Sequence, residues 1–329
     1  LLRRADIQTK IHGKDILPMG GEYTGMVLKA GVENFIKTYH PNLVIAPTNP
    51  SGDNRLKAAL ATLDGQVHGR PPSFCTGCPE RPIFTALKLV ERELGTHHVA
   101  CDIGCHLFSI LPPFNIGSTT MGYGLGGASA SAFNLKGENK ASKRAISIMG
   151  DGGFWHNGLL TGVQSALFNG DDAVLLIFKN GYTSATGTQD IISTPQEDAK
   201  LAATDKRTSL SHTNMTIEST LTGLGVQWLK TVHTYDVANV QAVLREAFST
   251  PFQGLKVIVA EGECQLERQR RIKPWVQSLL KKGQRVVRVK YGVDEDVCNG
   301  DHACIRLSGC PTLTLKDNPD PLKVDPVAT

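Results

Sequence analysis

Three things this sequence lacks bound what it can be. No apolar run approaches the ~20 residues that cross a bilayer as a helix, and no basic start followed by a short apolar core marks a secretory leader. A soluble, cytoplasmic protein is the expectation. Charge of one sign is also scarce: 35 lysines and arginines stand against 31 aspartates and glutamates, and a net charge of +4 predicts no nucleic-acid partner. An initiating methionine is missing, since Leu1 stands first, and Thr329 follows soon after a cysteine cluster, so the chain reads as a piece of something longer.

What is present is enough to fold. With 329 residues and 40% hydrophobic content, the chain can bury a sizeable core and form more than one unit. Its eight cysteines, in a cytosolic setting, argue for metal or cluster ligation rather than a disulfide framework.

The most informative stretch runs from Ile146 to Gln189: an apolar strand, a glycine-rich turn carrying Asp151, a helix over Asn157 to Phe168, a second apolar strand, and a polar loop opening at Asn180. An acid at the end of one buried strand and an amide at the end of the next converge at the carboxyl edge of a parallel sheet, where open α/β sheets bind ligands. Gly150, Gly152 and Gly153 let backbone approach a phosphate, and the helix N-terminus favours an anion. Asp151 and Asn180 are hard oxygen ligands suited to magnesium. Taken alone, a glycine-rich turn in an ordinary βαβ unit would read similarly.

The spacing goes further. Gly150-Asp151-Gly152, then 27 residues, then Asn180 resembles the thiamine diphosphate signature, with Lys179 replacing the first asparagine of the usual pair. The resemblance implies that Asp151, the Asn180 side chain and the Tyr182 carbonyl hold magnesium. It also makes Thr119, Thr120, Met121 and Gly122 candidates for touching the cofactor; the small-residue run Pro112 to Phe133 otherwise reads as a tightly packed helix start.

Elsewhere the periodicity predicts a helix in Tyr23 to Tyr39, with Met26, Val27, Ala30, Val32, Phe35 and Ile36 on or near one face. Further elements expected are a short helix at Asn54 to Leu63, a helix at Ile83 to Leu94, a helical turn at Gln196 to Thr204, a strand at Val226 to Thr231, a helix from Tyr235 to Phe248, and a buried strand at Leu255 to Ala260. The basic run from Glu267 to Lys282 reads as a solvated connector, and Arg285 to Tyr291 alternates like a strand.

The cysteines fall into two groups. Cys75-x-x-Cys78 opens a helix whose amides stabilise thiolates, and Cys101 and Cys105 follow; two pairs at this spacing suit a structural zinc or part of an iron–sulfur site. Near the end, Cys298-x-x-Asp301-x-x-Cys304 and then Cys310-Pro311 resemble a bacterial ferredoxin motif with Asp301 in the middle cysteine's place. Asp301 would ligate a labile iron, leave a three-iron cluster, or ligate nothing.

Thiamine diphosphate beside iron–sulfur ligands resembles the 2-oxoacid:ferredoxin oxidoreductases. FCTGCPERP, DIGCHLFSILPP, STTMG and VCNGDHACIRLSGCP are most similar to the indolepyruvate:ferredoxin oxidoreductases in their long fused-chain form. That resemblance covers about Pro72 to Thr329 and implies an α/β fold: a parallel-sheet thiamine diphosphate domain with helices on both faces, then the start of a ferredoxin-like domain. The implied boundaries are a connector over 1–72, the cofactor domain with a proximal [4Fe–4S] cluster over 73–265, a basic linker over 266–284 and an incomplete ferredoxin-like domain over 285–329.

Carried over residue by residue, the resemblance gives the proximal cluster Cys75, Cys78, Cys105 and Cys264 and leaves Cys101 as a small packed residue. The competing set is zinc on Cys75, Cys78, Cys101 and Cys105. Glu80 matches a cofactor contact, although a helix-start acid is favoured there in any case. Thr186 and Gln189 match a polar loop near the substrate, with Ala185 where some relatives carry a catalytic amide. His106 and His156 lie beside these sites and receive no role. The implied reaction is oxidative decarboxylation of a 2-oxoacid to an acyl-CoA, with electrons passed to ferredoxin. An activating glutamate would come from a pyrimidine-binding domain, and that domain and a gamma-type domain would lie elsewhere on the chain or on other subunits of an oligomer. The rivals are a non-redox thiamine enzyme with zinc and an electron-transfer subunit without the cofactor.

Overall fold

The computed structural model describes residues 10–19, 23–43, 50–63, 73–133, 143–194, 215–287, 289, 291–294 and 296–313. The chain divides into two units, Leu1–Pro71 and Pro72–Thr329. In the first, helix α1 (Gly25–Tyr39) is capped by Thr24, whose side chain accepts from the Val27 N–H, and is followed by α2 (Pro50–Leu63). Gly31 is buried on α1, while Met26 and Val32 of the expected apolar face are exposed. The unit's packing centres on His12, which sits against Phe35 and Tyr39.

The second unit is a six-stranded sheet in the order β2-β1-β3-β4-β8-β7, every neighbouring pair parallel. Its strands are β1 (Val99–Cys101), β2 (Thr119–Thr120), β3 (Ile146–Gly150), β4 (Val174–Lys179), β7 (Trp228–His233) and β8 (Lys256–Glu261). A separate antiparallel pair is formed by β5 (Tyr182–Thr183) and β6 (Gln189–Asp190). Side chains alternate across the sheet with the two-residue period of a strand. Ile146, Ile148, Leu176, Phe178 and Ile258 enter one core with α3 (Glu80–Leu94) and α7 (Val237–Ser249). Met149, Leu175, Ile177, Val257 and Val259 enter the other with Phe154, Val163, Ile217 and Leu221. A sheet covered on both faces explains why these strands read as unbroken apolar runs.

The helix after β3 begins at Asp151, six residues before the expected Asn157. It runs as α5 through three joined pieces, Asp151–Gly153, Phe154–Gln164 and Ser165–Asn169, the middle one wound with π-type bonds. The early start is possible because Gly152 and Gly153 carry no Cβ: one there would run into Thr183 and Tyr123, or into Asp102. Of the small-residue run, only α4 (Gly126–Ala130) is α-helical, and it presses on backbone. A Cβ on Gly126 would meet the Ala100 and Ile148 carbonyl oxygens at 3.1 Å, and one on Gly127 would meet Gly162 Cα at 2.8 Å.

Two expectations are corrected. The basic connector is a 17-residue helix, α8 (Gln265–Lys281), which keeps Val276 buried and tolerates Pro274 within it. Its charge does not break the helix because Arg268 and Arg271 pair with Glu263. The alternating stretch after it is not a strand among the described residues: Val287, Val289 and Tyr291 are exposed and have no paired neighbour. Residues 296–313 contain one short helix, α9 (Ala303–Arg306), so a ferredoxin-like start is not visible there. The helical turn expected at Gln196 to Thr204 lies outside the described residues. The short helix α6 (Ile217–Gly223) precedes β7 and carries a reciprocal cap between Thr216 and Ser219.

Arg144 ties the sheet to α7. Its guanidinium donates to both Asp172 oxygens and to the carbonyls of Ala247, Phe248, Thr250 and Phe252, while Lys256 pairs with the same Asp172. Replacing Arg144 with methionine strands several helix-end carbonyls and a half-buried carboxylate. We expect a loss of about 2–4 kcal/mol in stability, read by urea unfolding. A change below about 0.5 kcal/mol would place the clamp among ordinary surface contacts.

Among the described residues, no helix is long and apolar enough to cross a membrane.

Candidate active site

Because all six strands run the same way, their carboxyl ends share one edge. Asp102 follows β1, Asp151 follows β3 and Asn180 follows β4. Asp151 ties two of these ends together: its carboxylate accepts from the N–H groups of Gly152 (2.9 Å), Asn180 (2.9 Å) and Gly181 (2.6 Å). Burial, the larger influence, still outweighs those three donors and pushes Asp151 up to about 7.

A cavity of about 300 Å³ opens at this edge, lined among others by Glu80, Cys105, His106, Tyr123, Gly150, Asp151 and Asn180. Glu80, the first residue of α3, is 3% exposed, and burial pushes it up to about 7, with His106 opposing and Asp102 adding to the rise. Its Oε2 is buried without a hydrogen-bond partner. Gly150 has nothing within 4 Å of the place a Cβ would take, so backbone here is open to close approach. Asn180 Oδ1 accepts from the Tyr182 N–H (3.1 Å) and from the Ser184 hydroxyl (3.0 Å), and that same hydroxyl lies 3.3 Å from the Tyr182 carbonyl oxygen. Two of the three oxygens expected to bind magnesium therefore point at one spot, taken here by a hydroxyl. An orphaned carboxyl oxygen, an open glycine and this convergence fit a diphosphate held through a cation.

The remaining candidates divide. Gly152, Gly153, Ala185 and Thr186 line the cavity, but Thr119, Thr120, Met121 and Gly122 do not. They form β2 and the turn after it, and the cavity is reached by the next residue, Tyr123. Lys179 points away, pairing with Glu218 and Glu261. Thr186 and Gln189 bond to each other, and Arg270 of α8 fixes their loop by donating to the Gly187 carbonyl and to Thr188. A second cleft adjoins the cavity, sharing Tyr123, Gly152, Thr183 and Thr186 and adding Trp155, His156, Ile191 and Ile192.

Sequence reasoning passed over Asp102, and it placed His106 beside the sites without giving it a role. Asp102 Oδ2 accepts from the Gly124 N–H at 2.9 Å, and its other oxygen pairs with His106 Nε2. Burial alone would lower His106, but the hydrogen bond and charge of Asp102, with Glu80 behind, carry it above its ordinary value. An acid ending an apolar strand was the available signal, as at Asp151. Here the strand is three residues long and gives no visible period.

The cysteines of the first group gather beside the cavity. The Cys78 N–H donates to the Cys75 carbonyl at 3.0 Å, and Tyr235 donates to the Gly77 carbonyl at 2.6 Å, pinning this turn to the sheet edge. Gly262 makes the approach possible, since a Cβ there would lie 2.5 Å from Pro79 Cβ. Cys264 then stands at the start of α8. Burial raises the thiols of Cys75, Cys78 and Cys105, the last to about 12, and neighbouring thiols raise them further. Cys264 acts on Cys75 and Cys105, and Cys75 and Cys105 act on Cys78. Cys101 is outside this set: it is fully buried on β1, and its charged neighbour is Asp102. Among the described residues, no three His, Cys, Asp or Glu side chains close into a single-ion site. No two of the eight cysteines are joined in a disulfide.

In the second group, Cys298, Asp301 and Cys304 line a separate cavity of about 490 Å³, whereas Cys310 does not and instead contacts Thr312. This segment docks on α3: Arg81 donates to the Ser308 carbonyl and Thr85 to the Leu307 carbonyl, each at 3.0 Å.

The parallel α/β sheet, with an acid and an amide at adjacent strand ends, is similar to that of thiamine diphosphate-binding domains. Residues 102–260 match the family described as thiamine pyrophosphate enzyme, C-terminal TPP binding domain. The chain as a whole is similar to indolepyruvate oxidoreductase subunit IorA: 27% identical to that of Pyrococcus abyssi over 98% of this chain and 46% of the relative, and 28% identical to that of Archaeoglobus fulgidus over 94% and 44%. It therefore spans less than half the length of these curated relatives. Among solved structures, a 2-oxoglutarate:ferredoxin oxidoreductase from Magnetococcus marinus matches 60% of this chain and 66% of its own, at 15% identity and a TM-score of 0.47.

Proposed function

We propose that this chain is the thiamine diphosphate-binding part of a 2-oxoacid:ferredoxin oxidoreductase. It would act on an aryl 2-oxoacid such as indolepyruvate or phenylpyruvate, yielding carbon dioxide, the acyl-CoA and two electrons that leave through iron–sulfur clusters to ferredoxin. One observation carries the reading: a single cavity is lined both by Asp151, Asn180 and Glu80 and by Cys105, whose thiol lies close enough to Cys264 and Cys75 to feel their charge. A non-redox thiamine enzyme has no need of an electron carrier against its cofactor. Zinc is the poorer occupant of the thiols, because among the described residues no three His, Cys, Asp or Glu side chains close into a single-ion site.

Thiamine diphosphate, when bound, supplies the electron sink that lets a 2-oxoacid lose carbon dioxide. The chain's own residues hold and shape the site. Asp151, Asn180 Oδ1 and the Tyr182 carbonyl would hold magnesium, with Ser184 giving up its place to the cation. Glu80 offers its unpartnered oxygen to the cofactor, and Gly150, open where a Cβ would stand, admits the diphosphate at the N-terminus of α5. Cys75, Cys78, Cys105 and Cys264 would hold a [4Fe–4S] cluster, and protons would be released as it assembles, since burial keeps the thiols of Cys75, Cys78 and Cys105 protonated. The adjoining cleft, walled by Tyr123, Trp155, His156 and Ile191, suits an aryl group. The activating glutamate and the pyrimidine-binding domain would come from another part of the polypeptide or another subunit, so this chain alone is expected to be inactive.

The pH dependence of cofactor binding tests the magnesium site. Asp151, raised from 3.8 to about 7, holds a proton in the cation-free chain near neutrality. Its contribution to folding is complete below the ordinary carboxylate range and is lost as pH rises through about 7, whereas the cation binds the ionised form. Affinity for magnesium thiamine diphosphate is therefore expected to rise about tenfold from pH 6 to pH 8 and level off above. A flat calorimetric profile over that interval would remove Asp151 from the cation.

A further inference from the structure

The second cavity raises a question the motif leaves open: which group replaces the missing middle cysteine between Cys298 and Cys304. Spacing favours Asp301, but its chemistry is already committed. Asp301 is exposed, its Oδ1 accepts from the Ala303 N–H at 2.8 Å, and its backbone carbonyl accepts from Arg306. The carboxylate closes a turn onto the first residue of α9.

His302 is in the opposite position. It lines the cavity, as Cys298, Asp301 and Cys304 do, but its Nε2 is buried with no hydrogen-bond partner. A buried ring nitrogen without a partner is costly unless a ligand completes it. The backbone adds a second sign. His302 stands at φ 56° and ψ 23°, a left-handed conformation that side-chain-bearing residues seldom adopt, and from there it opens α9, accepting from the Ile305 and Arg306 N–H groups. Cys310, the remaining cysteine of the motif, is not in the cavity wall. In two-cluster ferredoxins the Cys-Pro cysteine ligates the other cluster, so its absence from this wall is in keeping with the motif.

We propose that His302, through Nε2, is a protein ligand of an iron–sulfur centre held by Cys298 and Cys304, in the place that spacing gives to Asp301. The inference rests on the proposed iron–sulfur function and on the resemblance of the Cys298 to Cys310 motif to a ferredoxin's, since the fold of residues 296–313 shows no ferredoxin-like start. The neutral imidazole donates the Nε2 lone pair to iron and keeps its proton on Nδ1, so no electron is transferred when the bond forms. A neutral ligand in place of a thiolate leaves the centre one unit less negative, and its reduction potential is higher than that of an all-cysteine equivalent. Electrons arriving from the cofactor side would find a favourable acceptor here.

The test uses the full-length holoprotein with its partner subunits, purified without oxygen, in wild-type, H302A, H302C, D301N and C298S forms. Pulsed electron paramagnetic resonance of the reduced clusters, iron content and a potentiometric titration are read on each. The wild type is expected to show a nitrogen coupling that H302A abolishes and D301N retains, and H302C is expected to keep the centre at a lower potential. A coupling unchanged in H302A, or a spectrum altered by D301N alone, would overturn the assignment to His302. If C298S leaves iron content and every cluster signal as in the wild type, no centre resides in this segment. The iron–sulfur reading of the segment then fails, and the proposal fails with it.

Discussion

Asp151→Asn is expected to lower the affinity for magnesium thiamine diphosphate by at least about 100-fold, equivalent to about 2.7 kcal/mol. The reason is partly charge and partly geometry. The cation loses an anionic oxygen, and the amide cannot serve all three backbone donors, because Gly152 addresses Oδ1 while Asn180 and Gly181 address Oδ2. One side must then face an NH₂ group, which loosens the link between the ends of β3 and β4 and costs about 1–3 kcal/mol in stability. Calorimetric titration alongside thermal unfolding separates the two losses. A folded variant that binds the cofactor as the wild type does would mean that the cation site lies elsewhere.

The second large effect is a contrast among thiols. Cys105→Ser and Cys264→Ser should each abolish or convert the proximal cluster, with iron content falling and reduction of ferredoxin dropping by roughly 100-fold or more, because hydroxyl is a poor substitute for thiolate on iron. Cys101→Ser should leave iron content unchanged and act only on the fold. Its side chain is fully buried on β1, and burying a hydroxyl there costs about 1–3 kcal/mol. The zinc arrangement predicts a different pattern, with Cys101 essential and Cys264 dispensable. Metal analysis of the three variants distinguishes the two arrangements.

The parts of this site that could be read from sequence are those where the chain announces itself locally. Asp151 and Asn180 sit at the ends of long apolar runs, so the strand period and the glycine turn located them together. Cys264 was legible for the same reason, following the apolar run of β8. Asp102 and Tyr123 follow strands of three and two residues, too short for a period to show, and their approach to Asp151 depends on α4 pressing against β1 and β3. The order of the sheet was likewise invisible: β7 is paired with β8 rather than with β4, which precedes it in the chain, and pairing of this kind is set by tertiary packing. The helix α8 was missed because its basic composition outweighed its period, whereas the structure needs only a buried Val276 and a few ion pairs to hold it.

Glu80 shows how the two kinds of information combine. An acid at a helix start is ordinary. An acid there that is buried, raised to about 7 and left with an unpartnered oxygen beside a cavity is a ligand contact waiting for its ligand. The first description comes from sequence and the second only from packing.

The central claim is that cofactor and cluster share one site. It is tested most directly by an absorption spectrum of the anaerobically purified protein, with iron, zinc and thiamine diphosphate measured on the same sample. The account predicts a broad band near ~400 nm from cysteine-held clusters, together with iron and bound cofactor. A colourless protein carrying zinc beside the cofactor would contradict it.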